Sequence, residues 1–170
     1  MPKGALLHAH LDATVNAEIL LQLALNQPYF YVRTTGRLTE ANISTLLPEF
    51  TALRTAHTNG VVPSSVTDAS YSHGVWLPIQ SARESFDSTL GGPSAFDKWV
   101  IGTLTVSPAE AYQTHNTTTK IWRKFQSTFL VSHPLIYHAP IWHDYIHQFL
   151  ISSIEDGISY VEVRINFFER

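Results

Sequence analysis

Ala5-Leu6-Leu7-His8-Ala9-His10-Leu11-Asp12 is a short apolar run that ends in two histidines and a carboxylate. Read as a strand from Ala5 to His10, it sets His8 and His10 two residues apart, so both imidazoles leave one face near the strand's carboxyl end. Neutral imidazole is the commonest protein ligand for zinc, and a catalytic zinc takes three protein ligands plus a water. The pair is therefore half of a candidate metal site, with a surface coincidence of two histidines as the plain alternative. Leu11 to Ala13 reads as the exit loop, and Asn16 to Asn26 as a helix with Ala17, Ile19, Leu20 and Leu23 at helical spacing, ended by Gln27-Pro28. Near the other end, Pro140 to Asp156 reads as a helix opened by proline and closed by Gly157. Ile158 to Asn166 follows as a second strand, parallel to the first. A crossover between parallel strands needs a dozen or more residues, so the much longer connection here carries a large insertion.

Within that connection the punctuation is uneven. Tyr29 to Arg33 with the turn signal Thr34-Thr35-Gly36 predicts a small hairpin, and Thr45 to Ala56 a short helix interrupted at Pro48. Thr58 to Gly74 is rich in Ser, Thr, Asn, Gly and Pro and reads as loop, and Gly91-Gly92-Pro93 is a second break. Ser107-Pro108-Ala109-Glu110 combines a capping serine, a first-turn proline and a glutamate three after the cap, which starts a brief helix through Tyr112. Thr118 to about Ser132 is a longer helix with Ile121, Trp122, Phe125, Phe129 and Leu130 on one side, limited by Pro134.

Composition narrows the function classes. The 170 residues carry a net charge of −3 with 15% charged residues, and Lys and Arg are scattered along the chain, which argues against nucleic acid as a partner. A hydrophobic fraction of 44%, with four Trp, seven Tyr and nine Phe, is enough to build a core. The apolar stretch from Ile19 to Leu25 is broken by Gln22 and is too short to cross a bilayer, so no membrane partner is expected. There is no cysteine, hence no disulfide and no thiolate ligand. No Gly-rich phosphate loop and no Gly-x-Ser-x-Gly elbow occurs. His143 and His147 sit at i, i+4 on the Pro140 helix, but Glu does not follow the first, and an exposed helix face is the better reading. His57, His73, His115, His133 and His138 fall in or near loops and receive no role.

The whole opening from Met1-Pro2-Lys3-Gly4 through Ala13 resembles the start of the adenosine deaminase superfamily, and most of all its secreted growth-factor type. Glu155-Asp156-Gly157-Ile158-Ser159-Tyr160-Val161-Glu162-Val163-Arg164 is similar to that family's second barrel strand with its Glu-x-Arg ending. Trp122-Arg123-Lys124-Phe125 and Phe129 resemble the helix that roofs the purine pocket. The resemblance implies an α/β fold, a partial (β/α)8 barrel of the metal-dependent hydrolase type holding the first two barrel strands and a helical and loop insertion. It divides the chain into 1–26 (first strand and helix), 27–95 (an inserted small domain, loosely matched) and 96–170 (barrel helices and second strand). A complete barrel takes about 250 residues, so the chain is expected to be an amino-terminal fragment of a longer parent.

The activity so implied is zinc-dependent hydrolysis of adenosine to inosine and ammonia, with a metal-activated water as nucleophile. His8 and His10 would be two zinc ligands, and Asp12 would bind the ribose hydroxyl. Trp122, Phe125 and Phe129 would gate the base. From position alone, Asp12 reads equally as a turn carboxylate or helix cap, and the three aromatics as an ordinary core stripe. Glu162 and Arg164 read as a buried ion pair or a link to neighbouring strands. The other ligands and the proton-donating glutamate lie on later strands in the family, so no catalytic residue is present here and the chain by itself is expected to be inactive. The resemblance further implies adenosine as small-molecule partner, a homodimeric parent and an extracellular location. The sequons Asn42-Ile43-Ser44 and Asn116-Thr117-Thr118 are compatible with secretion and equally with plain polar loops. Two other readings stand beside the deaminase: a non-catalytic extracellular module that binds a receptor or glycan, and an amidohydrolase acting on another nucleoside or nucleotide.

Overall fold

The computed structural model describes residues 3–53 and 62–166. Strand β1 (Gly4–His10) pairs in parallel with β5 (Ile158–Arg164), from Gly4 opposite Ile158 to His10 opposite Arg164, with an irregularity between Leu6 and Ala9. The rest of the described chain is an excursion between those two strands. It contains α1 (Ala17–Leu25), β2 (Phe30–Arg33), β3 (Glu49–Ala52), β4 (Leu77–Pro78), α2 (Ile79–Glu84), α3 (Gly92–Leu104), α4 (Thr118–Ile136) and α5 (Ala139–Glu155). The three short strands form a separate antiparallel sheet in the order β3-β2-β4. The architecture is thus mixed α/β with one parallel pair.

Local chemistry accounts for the helix ends. Asn16 caps α1 by accepting the Glu18 N–H at 2.8 Å, which satisfies a donor that the first turn leaves open. Ser107 and Glu110 exchange the bonds of a capping box, Ser107 N–H to Glu110 Oε2 at 3.0 Å and Glu110 N–H to Ser107 Oγ at 3.2 Å. The element they start is a π-helical turn, Glu110–Thr114. Gly157 turns the chain from α5 into β5 at φ 72°, a conformation that a Cβ disfavours. Gly157→Ala should therefore lower stability by about 1 kcal/mol, read as a shift in the urea midpoint without change of slope.

Several expectations are corrected. The Thr45 to Ala56 segment is not helical at its centre: Glu49–Ala52 is β3, because Phe50 lies opposite Val32 and both are buried against the core. Residues 54–56 of that segment, His57, and residues 58–61 of the Thr58 to Gly74 loop lie outside the described residues. The partner of β2 is reached across residues 34–48, so Thr34-Thr35-Gly36 does not close a tight hairpin. Pro134 does not limit α4 but sits within it. A proline there removes the bond that would return to Leu130, and Leu130 is 74% exposed, so water can serve the freed carbonyl. On α1 the buried face is Leu20, Leu21, Ala24 and Leu25; of the stripe read on Ala17, Ile19, Leu20 and Leu23, only Leu20 belongs to it, and the face lies one position round. Glu162 and Arg164 are 3.5 Å apart but exposed, not buried.

A continuous core runs through these elements. Phe30, Val32, Phe96, Leu135, Ile141 and Tyr145 all belong to it. Phe96 meets Phe86 and Trp99 edge to face at 5.7 Å in each case. Residues between the two parallel strands are tied in by buried polar bonds, among them Ser65 Oγ to the Ala82 carbonyl at 2.7 Å and the Tyr71 hydroxyl accepting the Thr34 N–H at 2.8 Å. Among the described residues no helix is long and apolar enough to cross a membrane.

Candidate functional site

β1 carries His8 and His10 on its exposed face while Ala9, between them, is buried, as the period of two requires. Their Nε2 atoms are 3.1 Å apart and their ring centroids 5.1 Å. Two nitrogens bound to one tetrahedral zinc at the usual bond length would stand about 3.3 Å apart, so the donor pair has the spacing and chemistry of half a zinc site. Among the described residues no group of three or more His, Cys, Asp or Glu is placed to hold a metal.

Two residues on, Leu11–Ala13 forms a single 3-10 turn, and it buries Asp12 to 5% exposure. The Asp12 carboxylate does not cap α1, since Asn16 does that. Instead Oδ2 accepts the Tyr137 hydroxyl at 3.2 Å and the Asn166 amide at 3.3 Å, and lies 3.4 Å from His133 Nε2. A buried carboxylate is tolerated only when so surrounded. The Tyr145 hydroxyl, from α5, accepts the backbone N–H groups of Thr14 and Val15, both at 3.2 Å, and so fixes the loop that follows.

Burial above all, then the charge and hydrogen bond of Asp12, push the Tyr137 phenol up to about 12. The folded state therefore keeps this proton where the unfolded chain has released it. The stabilisation is present in full below the ordinary phenol value near 10 and is lost as pH rises from there toward 12. Alkaline unfolding should accordingly begin later in Tyr137→Phe relative to its own neutral-pH stability, as followed by circular dichroism between pH 9 and 12.

The predicted gate residues stand in one file of rings on α4. Trp122 meets Phe125 at 5.3 Å, Phe125 meets Phe129 at 5.0 Å, and Phe129 meets His133 at 5.7 Å. The file continues from His133 to Tyr137 at 5.5 Å and from Tyr137 to Trp142 at 5.2 Å. Trp122 and Phe125 are 57% and 43% exposed, so the core-stripe alternative fails for them; the buried residues of α4 are Val131, Ser132, Leu135 and Ile136. Leu130, read on the same side, is exposed. A cleft of about 640 Å³ brings Asp12, Phe125, Phe129 and Tyr145 onto one wall system, within the size range of small-molecule sites. Trp122, His8 and His10 do not line it.

His133, Tyr137 and Asn166 were not legible as site residues. His133 and Tyr137 continue the i, i+4 spacing of Phe129, a signal hidden once Pro134 is read as a helix end. His133 therefore lies within α4, beside Asp12, and not in a loop. His143 and His147 are exposed on α5, as expected.

No family model matches the chain. Adenosine deaminase 2-A from Danio rerio is 30% identical over 164 residues, which cover 96% of this chain and 28% of that protein. Adenosine deaminase 2 from Sus scrofa is 26% identical, with 96% and 28% covered, and adenosine deaminase 2 from Dictyostelium discoideum 25% identical, with 96% and 25% covered. This similarity over nearly the whole chain is consistent with the adenosine deaminase superfamily, growth-factor type. The chain spans a little over a quarter of the length of the first two of these relatives. The matched span runs across the paired histidines, Asp12 and the ring file of α4 in a single alignment.

Proposed function

We propose that this chain supplies the first part of a zinc-dependent adenosine deaminase site, within a larger (β/α)8 barrel of which β1 and β5 are the first two strands. The observation that carries the reading is the convergence of His8 and His10, 3.1 Å apart, two residues before a buried Asp12, in a relative of proteins named adenosine deaminase. His8 and His10 would hold the zinc through Nε2, and the metal would supply an acidified water as nucleophile. Asp12, kept in place by Tyr137 and Asn166, would accept a ribose hydroxyl. Phe125 and Phe129 would exclude water from the base, with Trp122 at the outer end of the file. Residues 27–95 would be the inserted small domain, and the complete protein would be a secreted homodimer.

Two ligands bind zinc far less firmly than four, so the chain by itself is expected to take up zinc weakly and to form no inosine from adenosine. Competition with a chromophoric chelator should show one zinc per chain, and His8→Ala or His10→Ala should each weaken it by about tenfold or more. Equal zinc affinity in both variants and the native chain would defeat the metal assignment. For the activity, the transcript is decisive: an in-frame continuation beyond Arg170 with a strand-end His, a His-Ala-Gly-Glu-like segment and a paired Asp is expected. A stop codon there would defeat the deaminase reading and leave the binding-module one.

A further inference from the structure

A second opening, of about 700 Å³, lies between α3, the π-helical turn, α4 and residues 43–47. Its apolar floor is made by Ile43, Leu47 and Trp99, and the Trp99 indole is fixed by donating to the Leu46 carbonyl at 2.9 Å. Its rim carries Lys98, Lys120, Arg123 and Lys124. Scattered in sequence, these are four of the chain's eleven Lys and Arg, gathered at one cleft of a molecule whose net charge is −3.

The rim is short of negative charge. Glu110 is its one carboxylate, and it is committed elsewhere: it lies 3.0 Å from Lys124 Nζ and accepts the Ser107 N–H. Burial opposes its ionisation, but the Ser107 and Lys124 contacts outweigh that and hold the carboxyl below its ordinary range. Lys124 also donates to the Gly102 carbonyl at 2.6 Å. Among the described residues, Lys98, Lys120 and Arg123 have no carboxylate partner. Lys120, Arg123 and Lys124 stand at i, i+3 and i+4 on α4, where like charges repel and lower helix stability. A bound anion would relieve that repulsion, and an apolar floor below a cationic rim selects an anion with an apolar body.

We propose that this cleft binds a small organic anion, its phosphate or sulfate group among Lys98, Lys120 and Arg123 and its apolar part on Ile43, Leu47 and Trp99. The site is separate from the cleft at Asp12 and does not depend on the deaminase reading. Calorimetry at low salt with 2-naphthyl phosphate, naphthalene-2-sulfonate, 2-naphthol and inorganic pyrophosphate tests it. One molecule of a naphthyl anion should bind per chain, with 2-naphthol and pyrophosphate each about tenfold weaker or more, and the tighter of the two anions names the head group. Lys120→Glu/Arg123→Glu, at exposed positions, should lose about tenfold or more, and Lys98→Gln about threefold, while His8→Ala/His10→Ala should bind as the native chain does. The proposal is overturned if 2-naphthol binds as tightly as the anions, if pyrophosphate matches them, if both rim variants bind unchanged, or if the native chain shows no saturable binding into the millimolar range.

Discussion

Tyr145→Ala should destabilise the fold by about 3–5 kcal/mol, the range for removing a buried aromatic ring, and against a total of about 5–15 kcal/mol that threatens folding itself. Two effects add. The ring is 1% exposed, packed in the core between α5 and the turn after β1, and stacks on Trp142 at 6.3 Å. Its hydroxyl is also the acceptor for the N–H groups of Thr14 and Val15. Tyr145→Phe separates the two, since it keeps the ring and leaves those donors unmet, for a cost of about 1–3 kcal/mol. Urea unfolding of both variants measures the difference. If Tyr145→Ala fails to fold, Tyr145→Phe still reports the hydroxyl, and a loss below about 0.5 kcal/mol would show that this hydroxyl does not anchor the loop.

Asp12→Ala is expected to cost about 3–5 kcal/mol as well, by a different route. Removing the carboxylate strips Tyr137 and Asn166 of a shared acceptor and His133 of a neighbouring carboxylate, and a buried polar group without its partner costs more than the bond was worth. Asp12→Asn keeps a carbonyl oxygen in nearly the same place, so it should lose only about 1–2 kcal/mol. Denaturation at pH 7 orders the three proteins. Equal losses in the two variants would mean that the charge, not the accepted bonds, holds the network together.

Much of the frame could be read before any coordinates, and the reasons are local. The apolar run of β1 with its two histidines, the Ser107 and Glu110 box and the glycine after α5 are each written within a few residues. β3 was misread because Thr45 to Ala56 offers Leu, Ala and Glu, good helix formers, and only pairing with β2 overrides that preference. α2 and α3 went unread because Gly91-Gly92-Pro93 looks like a break, whereas Gly91 at φ 109° and the proline start α3. At the candidate site, the pairing of His8 with His10 was legible from their spacing, whereas Asp12 was singled out only by the resemblance. The residues that hold Asp12 come from α4 and from beyond β5, and such partners are set by packing, which no short window contains. The cationic rim escaped notice for the same reason: Lys98 and Lys120 lie on different helices and meet only in space.

Because Gly4 pairs with Ile158 and His10 with Arg164, the described partner of β1 is made only after every helix and the antiparallel sheet that lie between the two strands. The pairing of the histidine-bearing strand with β5 thus waits while the intervening helices and the antiparallel sheet are made. Contacts so distant along the chain close slowly, and an unpaired strand waiting through synthesis invites capture by another chain. Shielding β1 until β5 is available to pair with it would therefore raise the yield of correctly paired protein.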